Sequence, residues 1–162
     1  MKIYLAGPDV FRKDALEHAE KLKRECREFG FEGLFPLDNE IEAASDPRKT
    51  AYRIYKANMA MIHEADVVLA NLDPFRGPSV DPGTAFEIGA GDALGKLVVG
   101  YYAETEPSIY KGRILPTFDV FTKAYPEIED FNLFDNLMIE YGCSFILPSF
   151  RDALLQIEAE TK

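Results

Sequence analysis

Histidine and cysteine are scarce: two of each among 162 residues. With no Cys/His cluster at ligand spacing, a zinc site is not expected. Cys26 and Cys143 lie far apart and form no motif, so they read as buried small hydrophobes rather than a disulfide. That usage fits a reducing compartment. No apolar run approaches the ~20 residues that a spanning helix needs. The opening MKIYLAGPDVF reads as a strand and lacks a signal-peptide layout. A cytoplasmic location and no membrane partner are therefore expected. Positive charge is also in short supply, with 18 Lys+Arg against 28 Asp+Glu and a formal net charge of -10. Such a surface repels a phosphate backbone, so a nucleic acid polymer is not an expected partner. Solubility is the plain reading of the acidic excess. A dinucleotide fingerprint is missing too. Gly83, Gly89, Gly91 and Gly95 fall inside or after a helix, not before it.

What is present is ordinary globular material, with 47% apolar residues. The length suits a single domain over residues 1–162 with one sizeable core. KIYLAG (2–7) reads as a strand. Leu16, Ala19, Leu22 and Cys26 then recur at helical spacing over 13–29, and Gly30 ends that helix. GLFPLD (33–38) reads as a second strand, at a sheet edge because of Pro36. Asp46 as N-cap and Pro47 at the first helical position open a helix that runs to about Glu64. ADVVLANL (65–72) is a continuous apolar run, suited to a central strand covered on both faces. A Pro/Gly-rich loop from Asp73 leads into a helix ending at Gly95, and strands at 96–102 and 144–149 and a helix from Phe150 complete the chain. Residues 103–135, with Pro107, Pro116 and Pro126, show no period and read as an irregular insertion. Strands alternating with helices predict a parallel sheet and an α/β fold. A flavodoxin-like doubly wound sandwich follows, with five parallel strands in the order 2-1-3-4-5 and a ligand crevice at the carboxyl ends of strands 1 and 3.

Those ends carry the residues of interest. Gly7 sits in the first loop. Gly83 and Thr84 turn the chain into a helix whose N–H groups favour an anion. Glu87 is expected in the first turn of that helix, held ionised by its dipole; the bland alternative is a helix-favouring Glu. Asp81 is either an acid of the site or a residue capping its own turn. Asn58 shares a stripe with Ala51, Ile54, Tyr55 and Ile62. An amide on a core-facing stripe needs partners, from backbone or from a ligand. His63 lies off the stripe and reads as a surface residue. Tyr4 is a strand residue whose hydroxyl can reach a polar pocket. Phe11 suits either the core or a stacking platform. Lys111 and Arg113 carry no decisive pattern.

Four stretches together resemble the nucleoside 2-deoxyribosyltransferases: KIYLAGPDVF, ADVVLANLDPFRG, DPGTAFEIG and DNLMIEYG. The resemblance implies roles residue by residue. Glu87 matches the nucleophile that attacks C1′ of the deoxyribose, and Asp81 the acid that helps hold the sugar and the reacting groups. Tyr4 matches the tyrosine that contacts the nucleophile, and Phe11 the aromatic that packs on the base. Asn136 and Met138 match a segment that reaches a neighbouring subunit's site, with the Asn binding a sugar hydroxyl. Asn58 departs from the pattern. It stands eight residues before Asp66, where some members carry an Asp that protonates the base. An amide cannot do so, which leaves Asp81 or solvent for that step. The implied partners are deoxynucleosides and free nucleobases, in purine salvage, and a homodimer or higher oligomer with shared active sites. The implied chemistry is a glycosyl-enzyme formed and discharged with net retention, needing no metal and no redox cofactor.

Two other functions compete. One is a nucleoside or nucleotide N-glycoside hydrolase on the same fold. It would need donors for a 5′-phosphate in the first loop, where Asp9 is expected to repel one. The other is a non-catalytic nucleotide-sensing module, in which Asp81 and Glu87 only cap and stabilise a helix.

Overall fold

Side-chain alternation along the strands sorts the core into two layers. In β1 (Lys2–Ala6), Ile3 and Leu5 join one apolar cluster, whereas Tyr4 and Ala6 join the other. A computed structural model describes residues 1–103, 109–114 and 127–162. The first cluster packs against α1 (Ala15–Glu28) and α6 (Phe150–Thr161), through Ala19, Leu22, Cys26, Ala153, Leu154 and Ile157. The second packs against α2 (Pro47–Glu64), α3 (Pro82–Ala93) and α5 (Leu137–Glu140), through Met61, Ile62, Ile88 and Ile139. The remaining strands are β2 (Glu32–Leu34), β3 (Val67–Asn71), β4 (Leu97–Tyr101) and β5 (Phe145–Leu147). All described pairings are parallel and the order is β2-β1-β3-β4-β5, the expected doubly wound sheet. β3 lies at the centre with all five residues buried, which its unbroken apolar run requires. Cys26 and Cys143 are buried free thiols, and burial pushes each up to about 12.

Three expectations need correction. The second strand stops at Leu34, and residues 36–38 form a tight 3-10 turn. Pro36 has no N–H to give a ladder, and Asp38 folds back to accept the Phe35 N–H at 2.8 Å. The stripe on α2 is not core-facing along its length. Asp46 caps that helix as expected, accepting the Arg48 N–H at 2.9 Å. Yet Ala51, Ile54 and Tyr55 are exposed, and only Met61 and Ile62 are buried. Length explains the difference. An 18-residue helix is roughly 27 Å long, and a five-residue strand roughly 17 Å. The helix runs antiparallel to the strands, so its first turns overhang the carboxyl edge of the sheet. Third, the span read as an irregular insertion contains a short helix, α4 (Tyr110–Ile114). Pro107, Pro116 and Pro126 lie outside the described residues. Among the described residues, no helix is long and apolar enough to cross a membrane.

Candidate active site

The crevice between the loops after β1 and β3 brings the predicted acids together with Tyr4. Alternation turns Tyr4 toward α3, where the ring is fully buried. Its hydroxyl donates to Glu87 Oε1 at 2.6 Å. Burial, with the charge of Glu87 beside it, holds the phenol pKa far above its usual value, so it remains a donor. Glu87 is half-buried, and its pKa is raised to about 7. Desolvation is the main cause; the Tyr4 hydrogen bond opposes it and the nearby Asp81 charge adds to it. Helix α3 begins at Pro82, so Glu87 lies in its second turn, beyond the expected first. The dipole does not hold it ionised; burial instead poises it near neutrality.

Asp81 is the N-cap of α3, its carboxylate accepting the Thr84 N–H at 3.1 Å. The helix mouth therefore carries its own anion rather than standing open to one. Gly83 makes room for this cap, since a Cβ there would lie 2.8 Å from Asp81 Oδ2. Gly7 has a similar packing role. With φ at +157°, its hydrogen faces Asn71, and a Cβ would fall 2.8 Å from the Asn71 Cβ. Behind it, Asp9 is buried, with Asn71 Nδ2 at 3.0 Å and His18 Nε2 at 3.0 Å from its two oxygens. Asp9 thus faces inward, and the expectation that it repels a phosphate in the loop loses its geometric basis.

Phe11 is half exposed, at 54%, and stacks on Phe75 with centroids 5.0 Å apart. The Arg76 guanidinium lies 5.0 Å from one ring and 4.5 Å from the other. Phe75 and Arg76 were not anticipated, because a contact between two loops leaves no local period. Asn58 is half-buried on α2 near the carboxyl edge, where Tyr55 meets Phe86 of α3 at 6.2 Å. Among the described residues its buried Oδ1 has no hydrogen-bond partner, which argues against an amide satisfied by backbone. His63 is exposed, as expected.

Asn136 and Met138 sit on the neighbouring segment. Asn136 caps α5, its Oδ1 accepting the Met138 N–H at 3.0 Å, while its Nδ2 donates to Glu129. Met138 is 72% exposed. Beside them, Asp135 is buried and paired with Arg113, an arrangement that no sequence pattern announced. Among the described residues, no group of three or more His, Cys, Asp or Glu side chains is placed to hold a metal ion.

A buried phenol on a poised carboxylate, a second acid one helical turn and a half away, and an exposed aromatic at the crevice suit an enzyme of glycosidic bonds. The comparisons with known proteins agree. The family model for nucleoside 2-deoxyribosyltransferase matches residues 3–138, and the chain belongs to that family. The chain is similar to a 2-deoxyribosyltransferase structure from Leishmania mexicana, at 28% identity and a TM-score of 0.76 over 99% of both chains. It is similar also to that of the psychrotolerant bacterium Bacillus psychrosaccharolyticus, at 25% identity and a TM-score of 0.62, covering 94% of this chain and 89% of that one. An uncharacterised protein of Schizosaccharomyces pombe is 36% identical over 102 residues, which are 61% of this chain and 48% of that protein. The match thus spans about half the length of that curated relative.

Proposed function

We propose that the protein moves 2-deoxyribose from a deoxynucleoside to a different free nucleobase through a covalent intermediate on Glu87. The observation that carries this reading is the 2.6 Å bond from the Tyr4 hydroxyl to Glu87. It fixes one carboxylate oxygen and leaves the other to react. A pKa near 7 gives a substantial ionised fraction at neutral pH without deep loss of nucleophilicity. In the first step a Glu87 oxygen bonds to C1′, the C1′–N bond breaks, and the base departs with the electron pair and takes up a proton. In the second, a nitrogen of the incoming base bonds to C1′, the Glu87–C1′ bond breaks, and the new base sheds a proton. Two inversions give net retention. A 2′-deoxyribose suits this route, because without the 2′-hydroxyl its cation-like transition state forms more readily.

Asp81 faces the sugar and the reacting groups, Phe11 packs on the base, and Gly7 and Gly83 shape the site by leaving room for Asn71 and for the Asp81 cap. Asn58 orients the base and, being an amide, does not protonate it. Asn136 and Met138 serve the site of a second copy, in a homodimer or an assembly of dimers. The exposure of Met138 supports that assignment. We place the protein in the cytoplasm, in nucleobase salvage. The test is to mix a deoxynucleoside with a different free base and follow the exchanged product by chromatography. Release of free base from the donor alone, with no exchange, would favour the hydrolase instead. Because Asp9 faces inward, the monophosphate belongs in the same assay.

A further inference from the structure

We infer that Asp135, with Arg113 as its neutralising partner, is a positioning residue that sets the loop delivering Asp81 to the site. The inference rests on the deoxyribosyl reading above. Asp135 is 1% exposed, and a carboxylate so deep is costly unless it is paired and fully hydrogen-bonded. It meets donors from three segments. Ser79 Oγ and the Asn136 N–H (2.7 Å) give to Oδ1, and the Val80 N–H and Arg113 Nη2, each at 3.3 Å, give to Oδ2. Arg113 also holds that loop and the segment before α5. Its Nε donates to the Pro78 carbonyl at 2.7 Å and its Nη2 to the Phe134 carbonyl.

Residues 78–80 are therefore held by these side chains and by the Phe75 N–H on the Ser79 carbonyl, at 3.0 Å, not by a sheet ladder. Asp81 is the next residue, and its carboxylate starts the helix that carries Glu87. The same Asp135 carboxylate fixes the backbone of Asn136. One buried ion pair thus sets the spacing between the loop before α3 and the segment before α5.

The test compares Asp135→Asn and Arg113→Lys with the parent protein at a temperature well below every melting point. Asp135→Asn keeps the shape and one acceptor oxygen but turns the other into an NH2 group facing donors. Arg113→Lys keeps the charge but loses the fork. In Asp135→Asn, kcat for base exchange should fall about 10²-fold, the scale of an ångström-level misplacement. Arg113→Lys should show a smaller fall of the same kind. In both, amide exchange over residues 78–84 should accelerate while β1 and β3 are unchanged. If Asp135→Asn fails to fold, Ser79→Ala, which removes one donor, carries the same measurements. A lowered melting point with kcat unchanged would make Asp135 merely structural and overturn the inference. A parent protein that neither exchanges nor hydrolyses any deoxynucleoside would instead defeat the functional reading, and this inference with it.

Discussion

Two regions carry the residues of the proposed site, and they are built differently. Tyr4 and Glu87 stand on a central strand and a twelve-residue helix, each locked into the core. Asn136 and Met138 stand at a four-residue helix, anchored by the Asp135 and Arg113 side chains. A strand and a long helix fix their side chains through many shared contacts, so the Tyr4–Glu87 pair tolerates little movement. A segment held by a few polar groups depends on each of them. In the proposed mechanism, bond-making belongs to the first region and substrate placement to the second. Substitutions should separate the two.

Loss of Glu87 should have the largest effect. Glu87→Gln is expected to lower exchange by on the order of 10⁶-fold, the scale seen when a nucleophile is removed. It retains an acceptor for Tyr4, so its fold should survive. Glu87→Ala strands the buried Tyr4 hydroxyl and should cost about 1–3 kcal/mol of stability in addition. Chromatographic exchange assays and thermal melts check both; near-parental exchange in either variant would remove Glu87 as nucleophile.

Next in size is Asn136→Ala, expected to lower kcat/KM by about 10²-fold if it loses a hydrogen bond to the sugar. With sites shared between copies, mixing this variant with Glu87→Ala under subunit exchange restores activity in part. One site of each mixed pair then lacks both residues and the other is intact. A mixture as inactive as its parents, with exchange verified, would place Asn136 in its own chain's site.

A smaller and more diagnostic effect is expected for Tyr4→Phe. The Tyr4 hydrogen bond lowers the Glu87 pKa against the upward push of desolvation. Without it, the acid limb of the rate profile, expected near pH 7, should move up by about one unit. A limb that stays in place or moves down would contradict the assigned origin of the shift. The remaining effect is on stability. The Glu87 pKa is raised on folding from 4.5 to about 7, so its contribution is fully present below 4.5 and lost as pH rises through 7. Denaturant titrations of the parent should show that loss, and those of Glu87→Gln should not.

The same contrast explains what could be read from the sequence. The sheet order, the Asp46 cap and the central strand at β3 follow from periodicity and local capping, which act over a few residues. The overhang of α2 does not, because it depends on the relative lengths of helix and strand. The turn occupied by Glu87 depended on where α3 starts, and Asp81 as N-cap, rather than Gly83, decides it. Topology and helix capping were enough to put Tyr4, Asp81 and Glu87 at the carboxyl ends of strands 1 and 3, but the roles proposed for them came only from the family's motifs. The buried pairs Asp135–Arg113 and Asp9–His18 join residues distant in sequence, and polar contacts of that range leave no pattern to find.

The central claim is a covalent bond between Glu87 and C1′ of the sugar. The direct measurement is mass spectrometry after incubation with a 2-deoxy-2-fluoroarabinosyl nucleoside, whose fluorine slows discharge of the glycosyl-enzyme. The account predicts one added fluorinated sugar per chain, mapped to Glu87 and released by a free base with formation of the new nucleoside. An adduct on another residue, or base exchange that persists in Glu87→Ala, would contradict it.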